Sequence, residues 1–178
     1  MHEALEKAGL RSIQQGLFSS SKDALNWIIA NDIKYPLVVK PINSTSGDGF
    51  HLCSSFEEIE EAFVLELYKE NLLNIENKNL IVQEYIKGQE YVIDTVSCNK
   101  QVTFTDIIKY QKRIGKYSNT VYEQCEFLNL HSLYNIQEYV LSVLNTLGIE
   151  YGPAHTEIIV DEKGPVLIEC GARLAGCM

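Results

Sequence analysis

The chain has 178 residues, 46% of them hydrophobic, a single-domain length that can divide into two small lobes and still bury a core. A formal net charge of -9 with no cluster of Lys and Arg argues against a nucleic-acid-binding surface, so small anions need a local positive site. No apolar run approaches membrane-spanning length, and the opening Met1-His2-Glu3-Ala4-Leu5-Glu6 lacks the basic and apolar regions of a secretory signal, which sets a cytosolic expectation without membrane partners.

Residues 3–8 suit a short helix ended by Gly9, and residues 12–18 suit a strand. Ser20 or Ser21 then caps a helix running to Asn31, with Ala24, Leu25, Ile28 and Ile29 on one side. The β run Tyr35-Pro36-Leu37-Val38-Val39-Lys40-Pro41 ends in a lysine, whose ammonium either meets an anion beyond the strand or is an ordinary edge charge. Directly after it, Asn43-Ser44-Thr45-Ser46-Gly47-Asp48-Gly49-Phe50 combines hydroxyls with glycines that let backbone N–H groups converge on phosphate oxygens. It is not a P-loop, because the lysine precedes the loop; a plain hairpin returning through residues 50–53 is the other reading.

Ser55-Phe56-Glu57-Glu58 is a capping box opening a helix to about Lys69, with Ile59, Ala62, Phe63 and Leu67 inward. The Asn-rich residues 71–79 read as a flexible connection. A buried strand from Leu80 runs into Gln83-Glu84-Tyr85-Ile86, bends at Gly88, and resumes at Glu90 as far as Val96. A carboxylate and free backbone groups at such a bend suit an adenine amino group, and a glutamate one bend later suits ribose hydroxyls. Asn99-Lys100 turns the chain into a strand over residues 102–108. Residues 109–120 are basic, aromatic and without periodicity, a mobile loop whose Lys109, Lys112, Arg113 and Lys116 either approach phosphates or carry incidental charge. A core-facing stripe of Leu133, Ile136, Val140, Val143 and Leu147 predicts a helix over residues 132–147, ended by Gly148.

Two apolar runs, residues 158–160 and 166–168, flank Asp161-Glu162-Lys163-Gly164 and predict an antiparallel hairpin. Alternation groups Glu157, Ile159 and Asp161 on one face, and Leu167 with Glu169. Pairing symmetric about Lys163 sets Glu157 opposite Glu169, which repel unless a cation lies between them; a solvated hairpin is the alternative. A divalent ion suits that pair, and Arg173, four residues on, suits a phosphate or carboxylate oxygen. His155 is expected to be structural. The five scattered cysteines, Cys53, Cys98, Cys125, Cys170 and Cys177, have no CxxC spacing and are expected as free, mostly core-packing thiols.

The order of these parts resembles the ATP-grasp superfamily: Lys40 closing a strand, the Ser46-Gly47-Asp48-Gly49 loop, Gln83-Glu84-Tyr85-Ile86 with Gly88-Gln89-Glu90, then Glu157, Glu169 and Arg173. Gly171-Ala172-Arg173-Leu174-Ala175-Gly176 is most similar to the carboxylate–amine ligase branch that contains L-amino-acid ligases, with carbamoyl-phosphate synthase and biotin carboxylase as further relatives. The resemblance implies an α+β fold of two lobes with antiparallel sheets, here a lead-in over residues 1–16, a small lobe over 17–79 and a truncated C-terminal lobe over 80–178, without the family's N-terminal domain. It implies that Lys40, Ser44, Ser46, Gly47, Asp48 and Gly49 hold the ATP phosphates, that Glu84, Tyr85 and Ile86 read adenine, and that Glu90 binds ribose. Glu157 and Glu169 would ligate Mg2+ (or Mn2+), and Arg173 would stabilise the transferring phosphoryl group. The implied partners are ATP and small carboxylate and amine substrates, with a homodimer expected of the full-length protein. Gly171 departs from the family pattern, which often has a further asparagine ligand there, and this puts a second metal ion in doubt. A carboxylase or carbamoyl-phosphate-type lobe and a non-catalytic nucleotide-binding domain are the alternatives to a ligase core.

Overall fold

The computed structural model describes residues 1–45, 47–114 and 120–176, so the expectations for Ser46, Lys116 and Cys177 lie outside the described residues. The fold is α+β, with a four-stranded and a five-stranded antiparallel sheet. Two units separate, one containing Gln14–Tyr85, the other Met1–Ile13, Ile86–Lys112 and the chain from Tyr122 on.

In the first unit, β1 (Gln15–Phe18), β2 (Leu37–Pro41), β3 (His51–Cys53) and β4 (Leu80–Glu84) are ordered β1-β4-β2-β3. One sheet face is covered by α2 (Ser21–Ala30) and α3 (Phe56–Glu66), whose Ala24, Ile28, Ile59, Ala62 and Phe63 bury Leu37, Val39, Leu80 and Val82. Both helices start as their serines dictate: Ser20 accepts from Asp23 N–H at 3.2 Å, and Ser55 from Glu58 N–H at 3.4 Å. β4 pairs with β1 and β2, so it joins this sheet, and the divide falls after Tyr85 instead of at Asn79.

The expected flexible connection over residues 71–79 is instead hydrogen-bonded to the rest of its unit. Asn71 and Asn77 are 5% and 4% exposed; their side chains donate to the Asn43 carbonyl at 2.5 Å and the Glu66 carbonyl at 3.1 Å. Short amides replace the backbone partners that an irregular segment lacks.

In the second unit, β5 (Gln89–Cys98), β6 (Gln101–Ile114), β7 (Thr120–Phe127), β8 (Gly152–Asp161) and β9 (Gly164–Gly171) are ordered β7-β6-β5-β8-β9. α1 (His2–Lys7) and α4 (Tyr134–Thr146) share a core with one face: Leu5, Ile136, Val140, Val143 and Leu144 pack with Ile93, Ile107, Ala154, Ile158 and Leu167. Leu5 thus belongs to this core and Met1–Ile13 to this unit, whereas residues 14–16, expected in the same lead-in, belong to the other. Beyond α1, Arg11 donates twice to the Asp161 carboxylate, each at 2.6 Å, and once to the Gly164 carbonyl at 2.6 Å. Residues 109–114, expected in a loop, continue β6, because Lys109 and Tyr110 pair with Tyr91 and Glu90 and the Tyr110 ring is buried. No helix among the described residues is long and apolar enough to cross a membrane.

Candidate nucleotide and metal site

In the first unit, Leu37 and Val39 face the helices, so alternation turns Val38 and Lys40 to the opposite face, where Lys40 is in register with Ile81. The loop that follows folds on its own hydrogen bonds. Asp48 N–H donates to the Thr45 carbonyl at 3.0 Å and Phe50 N–H to the Gly47 carbonyl at 3.2 Å. Gly49 has φ +71°, and a Cβ there would lie 2.7 Å from the Pro41 ring and 3.1 Å from a Glu66 carboxylate oxygen, so only glycine fits.

Asp48, named from sequence as a nucleotide contact, has a carboxylate oxygen that accepts from Ser44 Oγ at 3.0 Å and from Leu72 N–H at 2.9 Å. Its visible work is to tie the glycine loop to the Asn-rich segment. Behind the loop, Glu66, 6% exposed, meets the His51 ring at 3.1 Å and accepts from Lys69 Nζ at 3.0 Å. Sequence reading missed Glu66 and Asn71; a lone carboxylate near the inward stripe of an amphipathic helix was the available signal. Glu84 ends β4, where its backbone N–H donates to the Gln14 carbonyl at 3.0 Å and its carboxylate accepts from Gln14 N–H at 2.9 Å. Tyr85 and Ile86 leave the strand immediately after it.

In the second unit, Ile93, Ala154, Ile158 and Leu167 face the helices. The opposite face carries, in register, Asp94, His155 and Gly171 in one row and Val92, Glu157 and Glu169 in the next; Glu90 faces the same way, opposite Tyr110 and Ile159. The bend before β5 is tight: a Cβ on Gly88 would lie 2.3 Å from the Val160 carbonyl oxygen. Glu90 pairs with Lys112, whose ammonium also stands 5.5 Å from the Tyr110 ring centre. Burial pushes the Glu90 carboxyl above its ordinary range, Lys112 pulls it back, and Glu157 adds to the rise.

Glu157 and Glu169 are directly opposed, as expected, but by another route. The turn pairs Asp161 with Gly164, and a bulge between Ile158 and Glu157 leaves Ile168 as the extra residue. Leu167 and Glu169, grouped on one face by simple alternation, are consequently on opposite faces: Leu167 joins the core and Glu169 the carboxylates. Among the described residues no three His, Cys, Asp or Glu side chains form a metal-holding cluster. The glutamates are a pair, which suits an ion that takes its remaining ligands from phosphate and water.

His155, 3% exposed, stands between two acids: Nδ1 is 3.0 Å from Asp94 and Nε2 is 3.4 Å from Glu157. Burial disfavours its charged form, but these two carboxylates outweigh burial and hold the imidazole above its ordinary value. Asp94, missed from sequence, also accepts from Ala175 N–H at 2.7 Å and so fixes the segment after β9. Arg173 in that segment is exposed, its guanidinium donating to the Leu174 carbonyl at 3.0 Å. Burial pushes the thiols of Cys53 and Cys170 up to about 12 and about 11, which leaves them protonated and poor nucleophiles.

A family model described as an ATP-grasp domain matches residues 33–178. Dapdiamide A synthase of Enterobacter agglomerans is 33% identical over 178 residues, 99% of this chain and 42% of that protein. An L-amino acid ligase of Bacillus licheniformis superposes with a TM-score of 0.73 at 27% identity, covering 98% of this chain and 39% of that one. The VanG D-Ala:D-Ser ligase of Enterococcus faecalis, at 19% identity, shares the fold with a TM-score of 0.75 over 96% of this chain and 50% of that one. The chain thus spans about two fifths of the length of dapdiamide A synthase and of the L-amino acid ligase.

Proposed function

Because the chain belongs to the ATP-grasp family, we propose that it forms the ATP- and Mg2+-binding core of a ligase that activates a carboxylate as an acyl-phosphate for attack by an amine. The observation that carries this reading is the register of Glu157 on Glu169, on the sheet face without helices. Like charges directly opposite in a sheet repel, and a cation between them offsets that repulsion. A divalent ion held there would neutralise phosphate charge. Similarity to proteins named as a dapdiamide synthase and an L-amino acid ligase supports an amine as the acceptor.

This chain's residues then have separable tasks. Lys40 and the loop over residues 44–49 hold the phosphate oxygens. Glu84, Tyr85 and the backbone at Ile86 bind adenine, and Glu90, held by Lys112, takes the ribose hydroxyls. The substrate carboxylate attacks the γ-phosphorus, ADP leaves, and the amine then displaces phosphate from the acyl carbon. Arg173 stabilises charge on the transferring group. Such transfer depends on positioning and charge neutralisation, so no protein nucleophile is needed.

Calorimetry with ATP and Mg2+ tests the binding core: saturable binding is expected, and its absence from a folded sample overturns the reading. ADP release by the full-length protein that depends on both an acid and an amine tests the reaction. Release that depends on bicarbonate instead would make it a carboxylase-type or carbamoyl-phosphate-type enzyme.

A further inference from the structure

We propose that Asp94 and His155 are positioning residues that hold the metal-binding carboxylate of Glu157 and the arginine-bearing segment after β9 in one fixed arrangement. The inference rests on the reading of Glu157 as a metal ligand, and its observations are independent of that reading. Asp94 is 4% exposed, and both of its carboxylate oxygens are committed. One meets His155 Nδ1 at 3.0 Å, which sets the ring so that Nε2 faces Glu157 at 3.4 Å. The other accepts from Ala175 N–H at 2.7 Å, two residues beyond Arg173.

One buried acid therefore braces two groups that differ in sequence position and in chemistry. The brace passes through a single β-ladder row, Asp94 beside His155 beside Gly171. Gly171 has no side chain to reach the carboxylates, so His155 is the group in that row that touches Glu157. A group that hydrogen-bonds a ligating carboxylate, as His155 does Glu157, fixes that ligand's orientation, and its loss typically costs about 10- to 100-fold in metal affinity.

The test is Mn2+ titrated into the full-length protein with a non-hydrolysable ATP analogue and followed by EPR. Asp94→Asn keeps an acceptor for Ala175 but presents a donor to His155, and it is expected to weaken Mn2+ about tenfold while nucleotide affinity in chelator is unchanged. His155→Ala should do the same, and His155→Gln, whose amide reaches toward Glu157, should restore part of the loss. Combining Asp94→Asn with His155→Ala should add nothing, because both act through one path. In the unmutated protein, the His155 Nε2 15N resonance should move when Mg2+ joins the nucleotide complex.

Wild-type Mn2+ affinity in folded Asp94→Asn or His155→Ala overturns the proposal, as does a His155 resonance that stays put. Glu157→Gln separates the two levels. If it abolishes Mn2+ binding while those variants bind normally, only the brace is wrong. If it binds Mn2+ like the wild type, the metal reading fails as well.

Discussion

Glu157 sits directly opposite Glu169 because one residue of β9, Ile168, is left out of the ladder; in an uninterrupted register Glu157 would face Ile168, and Glu169 would face Thr156 on the core side. Glu169→Gln therefore separates two effects. In metal-free protein it removes repulsion between opposed like charges, so the melting temperature should hold or rise, by the equivalent of roughly 0.2–1 kcal/mol. With nucleotide present, stabilisation by Mg2+ should disappear, and thermal melts with and without the ion measure both.

Asp48 braces the glycine loop through Ser44 and Leu72. Asp48→Ala should leave global stability nearly intact but raise the dissociation constant of ATP roughly fivefold, the effect of about 1 kcal/mol of ordering now needed on binding. Calorimetry of the variant checks it. A wild-type constant would show that the loop is set by its glycines alone.

Lys112 is the partner of buried Glu90. Lys112→Met should destabilise the protein by about 2–4 kcal/mol near pH 8, because it strands a buried carboxylate. The sign follows from burial, which already raises that carboxyl. A raised acid favours the folded state below its unfolded value, and that contribution fades as pH rises through the folded value. The defect should therefore shrink as pH falls toward 5, and adding Glu90→Gln should relieve it at every pH; melts at pH 5 and 8 test both.

Arg11 holds the Asp161 carboxyl down at about 2, from an ordinary 3.8. A depressed acid contributes stability above its unfolded value and loses it as pH falls, here between about 4 and about 2. Arg11→Ala should cost about 1–3 kcal/mol at pH 7. The melting temperature should drop by about 2–4 °C per kcal/mol. The difference from wild type should shrink as pH falls from about 4 through about 2, leaving the part owed to the Arg11 bond with the Gly164 carbonyl.

Local chemistry in the sequence was enough to place most elements. Serine caps mark where α2 and α3 begin, and a period of two marks the strands. These features are set by contacts within a few residues, which is why they read directly. Residues 109–114 and the Asn-rich segment misled for the complementary reason: their polar side chains are satisfied by strands and carbonyls that lie far along the chain.

What the sequence determined by itself, then, was the inventory: two glutamates, an arginine and a lysine, each carried on an identifiable strand or just after it. Tertiary structure decided which of them meet. Alternation alone grouped Glu169 with Leu167, and only the bulge, fixed by Leu167 entering the core against Ile158, turned Glu169 to face Glu157. Likewise Asp94 and His155 are 61 residues apart, and nothing short of the β5–β8 ladder brings an acid behind that imidazole. Pairing across strands depends on register, and register is chosen by how the buried faces pack, a property of the whole sheet that no local stretch contains.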